Sequence, residues 1–307
     1  MKRPLFREMK PRMNNMDLLE YLSIKRVHIN AAIDDILGKP SDSKRIIAAM
    51  RHSLMAGGKR LRPVLCIAAA ETVGGHMDDV MNAACAIEMI HTYSLIHDDL
   101  PAMDNDHLRR GKPTCHMAFD EPTAILAGDA LLTLAFETLS SPENHASRWL
   151  SVINTIAAAV GHKGMIEGQM RDMDAEGGRS LGLGALEAMH SLKTGALIEA
   201  SVATGAVLGG GTTDSIRHLK VYAKNIGLAF QVTDDMLNVE GDPDVMGKEV
   251  GTDQHRNKCT YPSILGMKES KQFVKKLVNN ALQALDYFDN KSDPLRAIAQ
   301  YVITRKR

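Results

Sequence analysis

One short stretch of the sequence holds an unusual number of carboxylates. Residues 98–106 include four aspartates and follow a segment that is largely apolar. Pro101 cannot continue a helix, so the chain must turn at this point and can bring Asp104 back towards Asp98. We therefore expect a loose turn that presents two or three carboxylates within a small volume.

A second acidic group lies near residue 235. Asp234 and Asn238 are four residues apart and share one helical face, with Asp235 beside them. Like charges held together in an apolar region are costly unless a cation lies between them. Mg²⁺ suits such a place, because it takes a few carboxylate oxygens and keeps water or phosphate oxygens as its other ligands. The alternative is a pair of solvated acidic helix ends, but both groups lie on segments apolar enough to be interior.

Basic side chains near these groups and near glycine-rich turns indicate what such a metal would help to hold. Arginine forks and lysine ammonium groups bind oligophosphates, and Mg²⁺ neutralises the remaining charge. Two separate basic groups predict two phosphorylated ligands, although any one of these residues alone is more often a solvated surface charge. The basic residues are Lys59, Arg60, Arg62, Arg109, Arg110, Lys112, Lys193, Lys248 and Lys258. His91 lies two helical turns before Asp98, which favours a ligand contact over a core histidine.

The segments that must position these residues are helical nearly throughout the chain. Ala, Leu, Met and Ile dominate, aromatic residues make up only 4%, and alternating strand patterns are missing from the sequence. Several helices are apolar on most faces and belong in the middle of a large bundle. Helices are expected at about 18–37, 43–56, 63–73, 77–100, 122–140, 146–175, 183–209, 214–240, 260–288 and 293–304. With no linker or internal repeat, the sequence predicts a single all-α domain over 1–307, in which 1–16 form a lead-in.

Composition excludes several classes of function. Lys plus Arg and Asp plus Glu both number 37, so no nucleic-acid partner is expected. The sequence contains no run of about 18 apolar residues, so no membrane span is expected. The four cysteines form no CxxC pair, which favours a reducing, cytoplasmic compartment.

Beyond these patterns, the sequence resembles a known family. The DDLPAMD stretch at 98–104 is similar to the first aspartate-rich motif of the trans-prenyltransferases, in its DDxxxxD form. GGKRLRP, LRRGKPT, LKTG, FQVTDD and GKEVGTDQHRNKCTYP also match that family in order and approximate spacing, over about 40–305. The nearest likeness is to farnesyl diphosphate synthases of the bacterial type. The resemblance implies an isoprenoid-synthase bundle of helices around a central apolar cavity, usually as a homodimer.

The resemblance also assigns roles to individual residues. The catalytic group would comprise Asp98, Asp99, Asp104, Asp234, Asp235 and Lys193. Asp98, Asp104 and Asp234 would be the metal ligands for three Mg²⁺ ions. The allylic diphosphate would be held by Arg109, Lys193, Thr194, Gln231, Lys248 and Lys258. The diphosphate of isopentenyl diphosphate would be held by Lys59, Arg62, His91 and Arg110. As helical neighbours about 100° apart, the two adjacent arginines could each serve a different diphosphate.

Two features of the motifs bear on activity and product length. The family's second motif usually ends in aspartate, whereas Asn238 stands there and offers an oxygen without the charge. In the family the residue five before the first motif often forms the floor of the tunnel, and here it is Tyr93. A bulky ring there, with the two-residue insertion in the first motif, resembles synthases that stop at a C15 product.

The expected reaction is therefore the condensation of isopentenyl diphosphate with dimethylallyl or geranyl diphosphate, giving farnesyl diphosphate and pyrophosphate. A geranylgeranyl diphosphate synthase is the near alternative. A terpene cyclase is disfavoured because it would leave the second basic group without a ligand. A non-catalytic partner subunit is a further alternative, for which Asn238 is the only indication.

Overall fold

The structure is a computed structural model that describes residues 17–38, 44–141, 145–175, 181–240 and 258–305. Within these ranges the chain is almost wholly helical, and the only sheet is one two-stranded hairpin. The first half contains α1 (Leu18–Ile36), α2 (Arg45–Leu54), α3 (Leu61–Thr72), α4 (Met77–Asp98), β1 (Leu108–Arg109), β2 (Lys112–Pro113), α5 (Cys115–Ala118) and α6 (Glu121–Ser140). The second half contains α7 (Ala146–Val160), α8 (Met165–Ala175), α9 (Leu183–His190), a π-helical turn (Ser191–Gly195), α10 (Ala196–Leu208), α11 (Thr213–Glu240), α12 (Tyr261–Leu265), α13 (Met267–Ala284) and α14 (Asp293–Thr304).

The middle of the bundle is formed by α3, α4 and α10, which are buried on almost all sides. Helix α6 covers α4, while α11 packs against α10 and against α13. Small residues allow the central helices to approach closely. A Cβ atom added at Gly205 of α10 would overlap the backbone carbonyl of Cys66 in α3. The all-α bundle expected from the sequence is confirmed, while its central apolar cavity stays a prediction.

Three of the expected helices are interrupted, each where glycine or a change of helix type breaks the backbone pattern. The single helix expected over 146–175 is wrong, because the chain turns between α7 and α8 at 161–164. The helix expected over 260–288 is divided at Gly266, whose φ of +83° is a left-handed conformation that favours glycine. The segment 183–209 is helical throughout but contains the π-helical turn Ser191–Gly195. The π-helical turn matters for the candidate site, because it carries Lys193 and Thr194.

Helix α6 is the one described helix that is long and apolar enough to cross a membrane, by length and composition alone. Its buried residues pack against α4 and α2, as those of an interior helix do. Glu121, Asp129 and Glu137 also interrupt its apolar surface. The expectation of no membrane span therefore stays a prediction.

Candidate active site

The first acidic motif forms a tight turn at the end of α4. The helix ends at Asp98, just before Pro101, and the backbone N–H of Asp104 donates to the carbonyl of Asp98 at 2.8 Å. The N–H of Asn105 donates to the carbonyl of Leu100 at 3.0 Å and closes the same turn. The return of Asp104 towards Asp98, expected from the proline break, is confirmed.

Asp98 is a carboxylate whose charge is costly at this place. Burial raises the pKa of Asp98 to about 6, and the neighbouring carboxylates of Asp104 and Asp99 add to this effect. Lys193 and Arg109 lie close enough to oppose it. A cation bound beside Asp98 would therefore relieve both the burial cost and the repulsion.

The adjacent arginines point in different directions because they belong to a hairpin. Arg110 and Gly111 both have positive φ and form the two central residues of its turn, the type I′ geometry that joins short antiparallel strands. Arg109 donates to both carboxylate oxygens of Asp99, with Nε at 2.8 and 2.9 Å. The expected helical angle of 100° is wrong, although the expected divergence of the two side chains is confirmed.

Arg110 reaches a second basic group near the start of α3. Its guanidinium donates to the carbonyl of Gly57 and occupies the space that a Cβ atom on Gly58 would fill. Burial lowers the pKa of Arg62, the negative charges of Glu88 and Asp234 oppose this effect, and the positive charge of Arg110 adds to it. Nε of Arg62 is buried without a hydrogen-bond partner. Such a donor fits an anionic ligand.

His91 and Lys59 lie beside the same group. Burial, followed by the charges of Arg62, Arg110, Arg109 and Arg60, holds the pKa of His91 well below its usual range, so the ring is neutral near pH 7. The ammonium of Lys59 lies 5.5 Å from the centre of the Tyr301 ring. The four residues expected to hold isopentenyl diphosphate thus lie around one end of α3 and the middle of α4.

Arg60 does not belong to this group. It begins α3 in a left-handed conformation, and its buried guanidinium pairs with Glu88 of α4 at 2.7 Å. It also donates to the side-chain carbonyl of Asn30 in α1 at 2.9 Å. The expectation that Arg60 faces a phosphorylated ligand is therefore wrong, because this side chain joins three helices inside the core.

The second acidic motif lies near the end of α11. Asp234 accepts a hydrogen bond from Nη2 of Arg305 at 2.8 Å. The same Arg305 nitrogen also donates to the carbonyl of Phe230, and the guanidinium lies 3.8 Å from the centre of that ring. Asn238, on the same helical face as Asp234, is buried. The C-terminal end of α14 thus provides a cation for one of the expected metal ligands.

Asp235 is buried in a hydrogen-bonded chain that links α11 to two other elements. It accepts from the amide of Gln231 at 2.9 Å and from the backbone N–H of Tyr261 at 3.0 Å. Gln231 in turn accepts from the hydroxyl of Thr194 at 3.1 Å. These contacts suit the supporting role expected of Asp235, since they fix α12 and the π-helical turn against α11.

The lysines expected at the allylic diphosphate meet at a carboxylate that sequence reasoning missed. Lys193 Nζ donates to Asp172 Oδ2 at 2.6 Å, and Lys258 Nζ donates to the same oxygen at 3.3 Å. Lys258 Nζ also lies 3.9 Å from Oδ1 of Asp104. These contacts connect α8, the π-helical turn and the first acidic motif.

Tyr93 lies on α4, five residues before Asp98. Its side chain is buried and meets the ring of His97 edge-on, with ring centres 5.8 Å apart. His97 in turn lies where a Cβ atom on Gly128 of α6 would fall. The ring of Tyr93 therefore packs against a histidine that contacts α6, and its role as a floor stays a prediction.

Comparison with known proteins places this chain in a family. A sequence profile described as "Polyprenyl synthetase" matches residues 43–298. Geranylgeranyl pyrophosphate synthase of Capsicum annuum is 46% identical over 288 residues, which is 93% of this chain and 78% of that protein. The large subunit 1 of the heterodimeric geranylgeranyl pyrophosphate synthase of Arabidopsis thaliana is 47% identical over 300 residues, 95% of this chain and 81% of that protein. A solved structure of an FPP/GFPP synthase from Zymomonas mobilis superposes with a TM-score of 0.82 at 37% identity, covering 93% of this chain and 98% of that one.

The chain belongs to the polyprenyl synthetase family. The resemblance drawn from its motifs is confirmed, and prenyl transfer is the class of activity that this membership supports. The roles assigned to single residues stay predictions. Lys248, one of them, lies outside the described residues.

The residues present in this polyprenyl synthetase fit Mg²⁺. No three His, Cys, Asp or Glu side chains within the described ranges form a ready-made metal site. Mg²⁺ does not require one, since it is commonly held by one or two carboxylates together with water and substrate phosphates. The raised pKa of Asp98 beside Asp104 and the pairing of Asp234 with a guanidinium show that both motifs favour a positive charge nearby.

Two residues of the site were missed at the level of sequence. Asp172 lies in a mixed polar stretch, IEGQMRDMDAEGG, where nothing distinguishes it from the nearby Asp174. Arg305 lies in the basic end TRKR, which has the composition of a solvated tail. They are identified only by their contacts in the fold, of Asp172 with Lys193 and Lys258 and of Arg305 with Asp234.

Proposed function

We propose that this protein condenses isopentenyl diphosphate with allylic diphosphates, with Mg²⁺ as cofactor, and releases geranylgeranyl diphosphate as its main product. The observation that carries the reaction type is the meeting of the two acidic motifs with two separate basic groups. Lys258 lies near both Asp172 and Asp104, and Arg62 lies near both Asp234 and Arg110. Two diphosphates need two separate groups of basic side chains to bind them.

The chain's own residues bind, orient and shield the substrates. Lys193, Lys258 and Thr194 would hold the allylic diphosphate, while Lys59, Arg62 and Arg110 would hold that of isopentenyl diphosphate. His91, neutral near pH 7, can accept or donate a single hydrogen bond beside the second diphosphate without adding charge. Asp98, Asp104 and Asp234 are the proposed ligands for three Mg²⁺ ions. These ions would stabilise the charge of departing pyrophosphate.

The reaction then proceeds without a dedicated base from the protein. The allylic C–O bond breaks and pyrophosphate leaves with the electron pair. The double bond of isopentenyl diphosphate attacks the resulting cation and forms the new C–C bond. A proton is finally lost to pyrophosphate, and the apolar helices around the site exclude water, which would otherwise capture the cation.

The product length is the finer part of the proposal. The farnesyl product favoured by the sequence motifs is supported less well than the geranylgeranyl alternative, because the two curated relatives described above carry that name at 46–47% identity. Farnesyl diphosphate is the second candidate. The buried ring of Tyr93, just below the first acidic motif, favours it.

We also propose that the active form is a homodimer in which α6 faces a second copy of the chain. Ile125 and Leu126 of α6 are exposed apolar side chains, although the opposite side of this helix is buried against α4. The charged residues of α6 disfavour a lipid environment for that surface. A cytoplasmic location stays a prediction.

Incubation of purified protein with isopentenyl and dimethylallyl diphosphates, with and without Mg²⁺, tests the function directly. We expect Mg²⁺-dependent release of pyrophosphate and a product dominated by C20 on chromatography. A dominant C15 product would favour farnesyl diphosphate synthase. Turnover of farnesyl diphosphate alone would favour a cyclase, and no condensation at all would favour a non-catalytic subunit.

A further inference from the structure

We propose that Asp172 is a positioning residue for the condensation, which holds Lys193 and Lys258 in the orientation that receives the allylic diphosphate. This inference rests on the proposed function, and it deepens the assignment of the allylic site. None of the family motifs recognised in the sequence includes this residue.

Three elements of the fold converge on one oxygen atom of Asp172. Asp172 belongs to α8, Lys193 to the π-helical turn and Lys258 to the segment before α12. Both ammonium groups donate to Oδ2 of Asp172, at 2.6 and 3.3 Å. Asp172 is only 9% exposed, so water competes little for these contacts.

The backbone of α8 and that of the π-helical turn pack closely beside this contact. Gly168 lies four residues before Asp172 and therefore on the same face of α8. A Cβ atom at Gly168 would overlap the backbone of Lys193. The π-helical turn thus lies directly against α8, and a glycine is required where its backbone passes. Single π-helical turns inside helices are frequent at functional sites.

The charges of Asp172 and the two lysines also suit this role. Burial alone would raise the pKa of Asp172, but the two lysines outweigh it and lower the pKa, so the carboxylate is ionised near pH 7. Asp172 balances one of the two lysine charges, and the other is opposed by Asp104, whose Oδ1 lies 3.9 Å from Lys258 Nζ, and by Asp98. Each ammonium group has three hydrogens, so both lysines can donate to Asp172 and still donate to a diphosphate.

The neighbouring groups agree with this role. His190, at the start of the π-helical turn, has its pKa lowered to about 4, chiefly by burial, so it adds no charge near pH 7. Lysine side chains lose considerable rotamer freedom when they are fixed. A carboxylate that holds two of them before substrate arrives removes that cost from binding and preorganises the site.

Asp172→Asn tests the inference, because asparagine keeps the shape and removes the charge. We expect kcat/KM for the allylic substrate to fall about 10- to 100-fold, as for other small displacements of positioning groups. The KM for isopentenyl diphosphate should change less than about twofold, since different residues hold it. Asp174→Asn on the same helix, at an exposed position, is the matched control and should behave as wild type.

A double-mutant cycle separates positioning from a purely structural role. In a Lys258→Gln background, Asp172→Asn should cost clearly less than it does alone, because one of its two partners is already gone. Asp172→Glu, which retains the charge, should recover part of the lost kcat/KM. Thermal unfolding of each variant without substrate shows whether the fold persists.

The outcomes distinguish this inference from the function on which it rests. An active wild-type protein with an unchanged Asp172→Asn variant would overturn the role of Asp172 alone. Equal losses for both substrates, in parallel with a lowered melting temperature, would also overturn it, since that is the behaviour of a structural ion pair. A wild-type protein without condensation activity would overturn the proposed function and this inference together.

Discussion

At the scale of single residues, the candidate site is a set of opposite charges that largely neutralise each other. Asp99 is matched by Arg109, Asp234 by Arg305, and Asp172 by two lysines. Asp98 makes no direct ion pair with any residue in the described ranges, and burial raises its pKa to about 6; burial also raises the pKa of Asp99, although Arg109 opposes this. The free energy of folding therefore includes a cost for the unpaired charge of Asp98.

Asp98→Asn should increase the free energy of unfolding of the metal-free protein at pH 7.5. The native protein keeps the proton of Asp98 up to about pH 6, whereas an unfolded aspartate loses it near pH 3.8, so stability falls as the pH rises between these values. The full difference corresponds to about 3 kcal/mol, and partial solvation reduces the expected gain to about 1–2 kcal/mol. Urea unfolding at pH 4 and pH 7.5 measures it.

The gain in the free energy of unfolding should vanish near pH 4, where the native Asp98 carboxyl group and the substituted amide are both neutral. Glu137→Gln, at an exposed position of α6, is the control and should leave stability unchanged at both pH values. Equal stability of Asp98→Asn and wild type at pH 7.5 would contradict the raised pKa. The same substitution should abolish condensation, since it removes a proposed metal ligand.

Tyr93→Ala should lengthen the product. If the ring forms the floor of the tunnel, its removal lets the chain grow by at least one C5 unit, which chromatography of the products detects. Tyr93→Phe, which keeps the ring, should leave the product length unchanged. Because loss of a buried ring costs about 3–5 kcal/mol, the variant should be assayed well below its melting temperature. An unchanged product would refute the assignment of the floor.

At the scale of elements, the site depends on departures from regular helix. The proline-broken end of α4, the hairpin of Arg109 and Arg110, and the π-helical turn each direct a charged side chain to the same region. The first follows from Pro101 and could be predicted. The other two are set by packing, because an arginine in the left-handed region and a π-helical turn have no distinctive local signal.

Close approach of the central helices gives a direct prediction of stability. Gly205→Ala should lower the free energy of unfolding by about 1–3 kcal/mol, because its Cβ would meet the backbone of α3, which cannot move without disturbing the core. Gly184→Ala in α9 is the matched control, since its Cβ would meet nothing within 4 Å. That change should be neutral or stabilise by up to about 1 kcal/mol. Equal effects in urea unfolding would contradict the packing described for α3 and α10.

At the scale of the whole molecule, the proposed dimer surface is the side of α6 that exposes Ile125 and Leu126. The proposed homodimer predicts a mass in light scattering of twice the 33.6 kDa of one chain. Leu126→Glu, at a position that is 59% exposed, should reduce the measured mass to that of one chain. Leu19→Glu on α1, at 69% exposed, should leave the dimer intact. A monomeric wild-type protein would refute the proposal.

The sequence by itself determined the class of fold and named most residues of the candidate site, whose roles stay predictions. Helical periodicity and apolar composition are properties of neighbouring residues, so the all-α bundle and most helix positions could be read from them. The acidic motifs could be recognised for the same reason, since their aspartates lie within a few residues of one another. The Pro101 turn follows from the covalent structure of proline.

Only the tertiary structure decided which charges meet. Asp172 and Lys258 are 86 residues apart, and Arg305 is 71 residues from Asp234, so no local pattern connects them. The same holds for Arg60, whose sequence neighbours lie at the site while its own side chain pairs with Glu88 in the core. Local periodicity specifies elements, but the partners of a buried charge depend on how distant elements pack, because a carboxylate is stabilised by whatever cation the fold brings within hydrogen-bond distance.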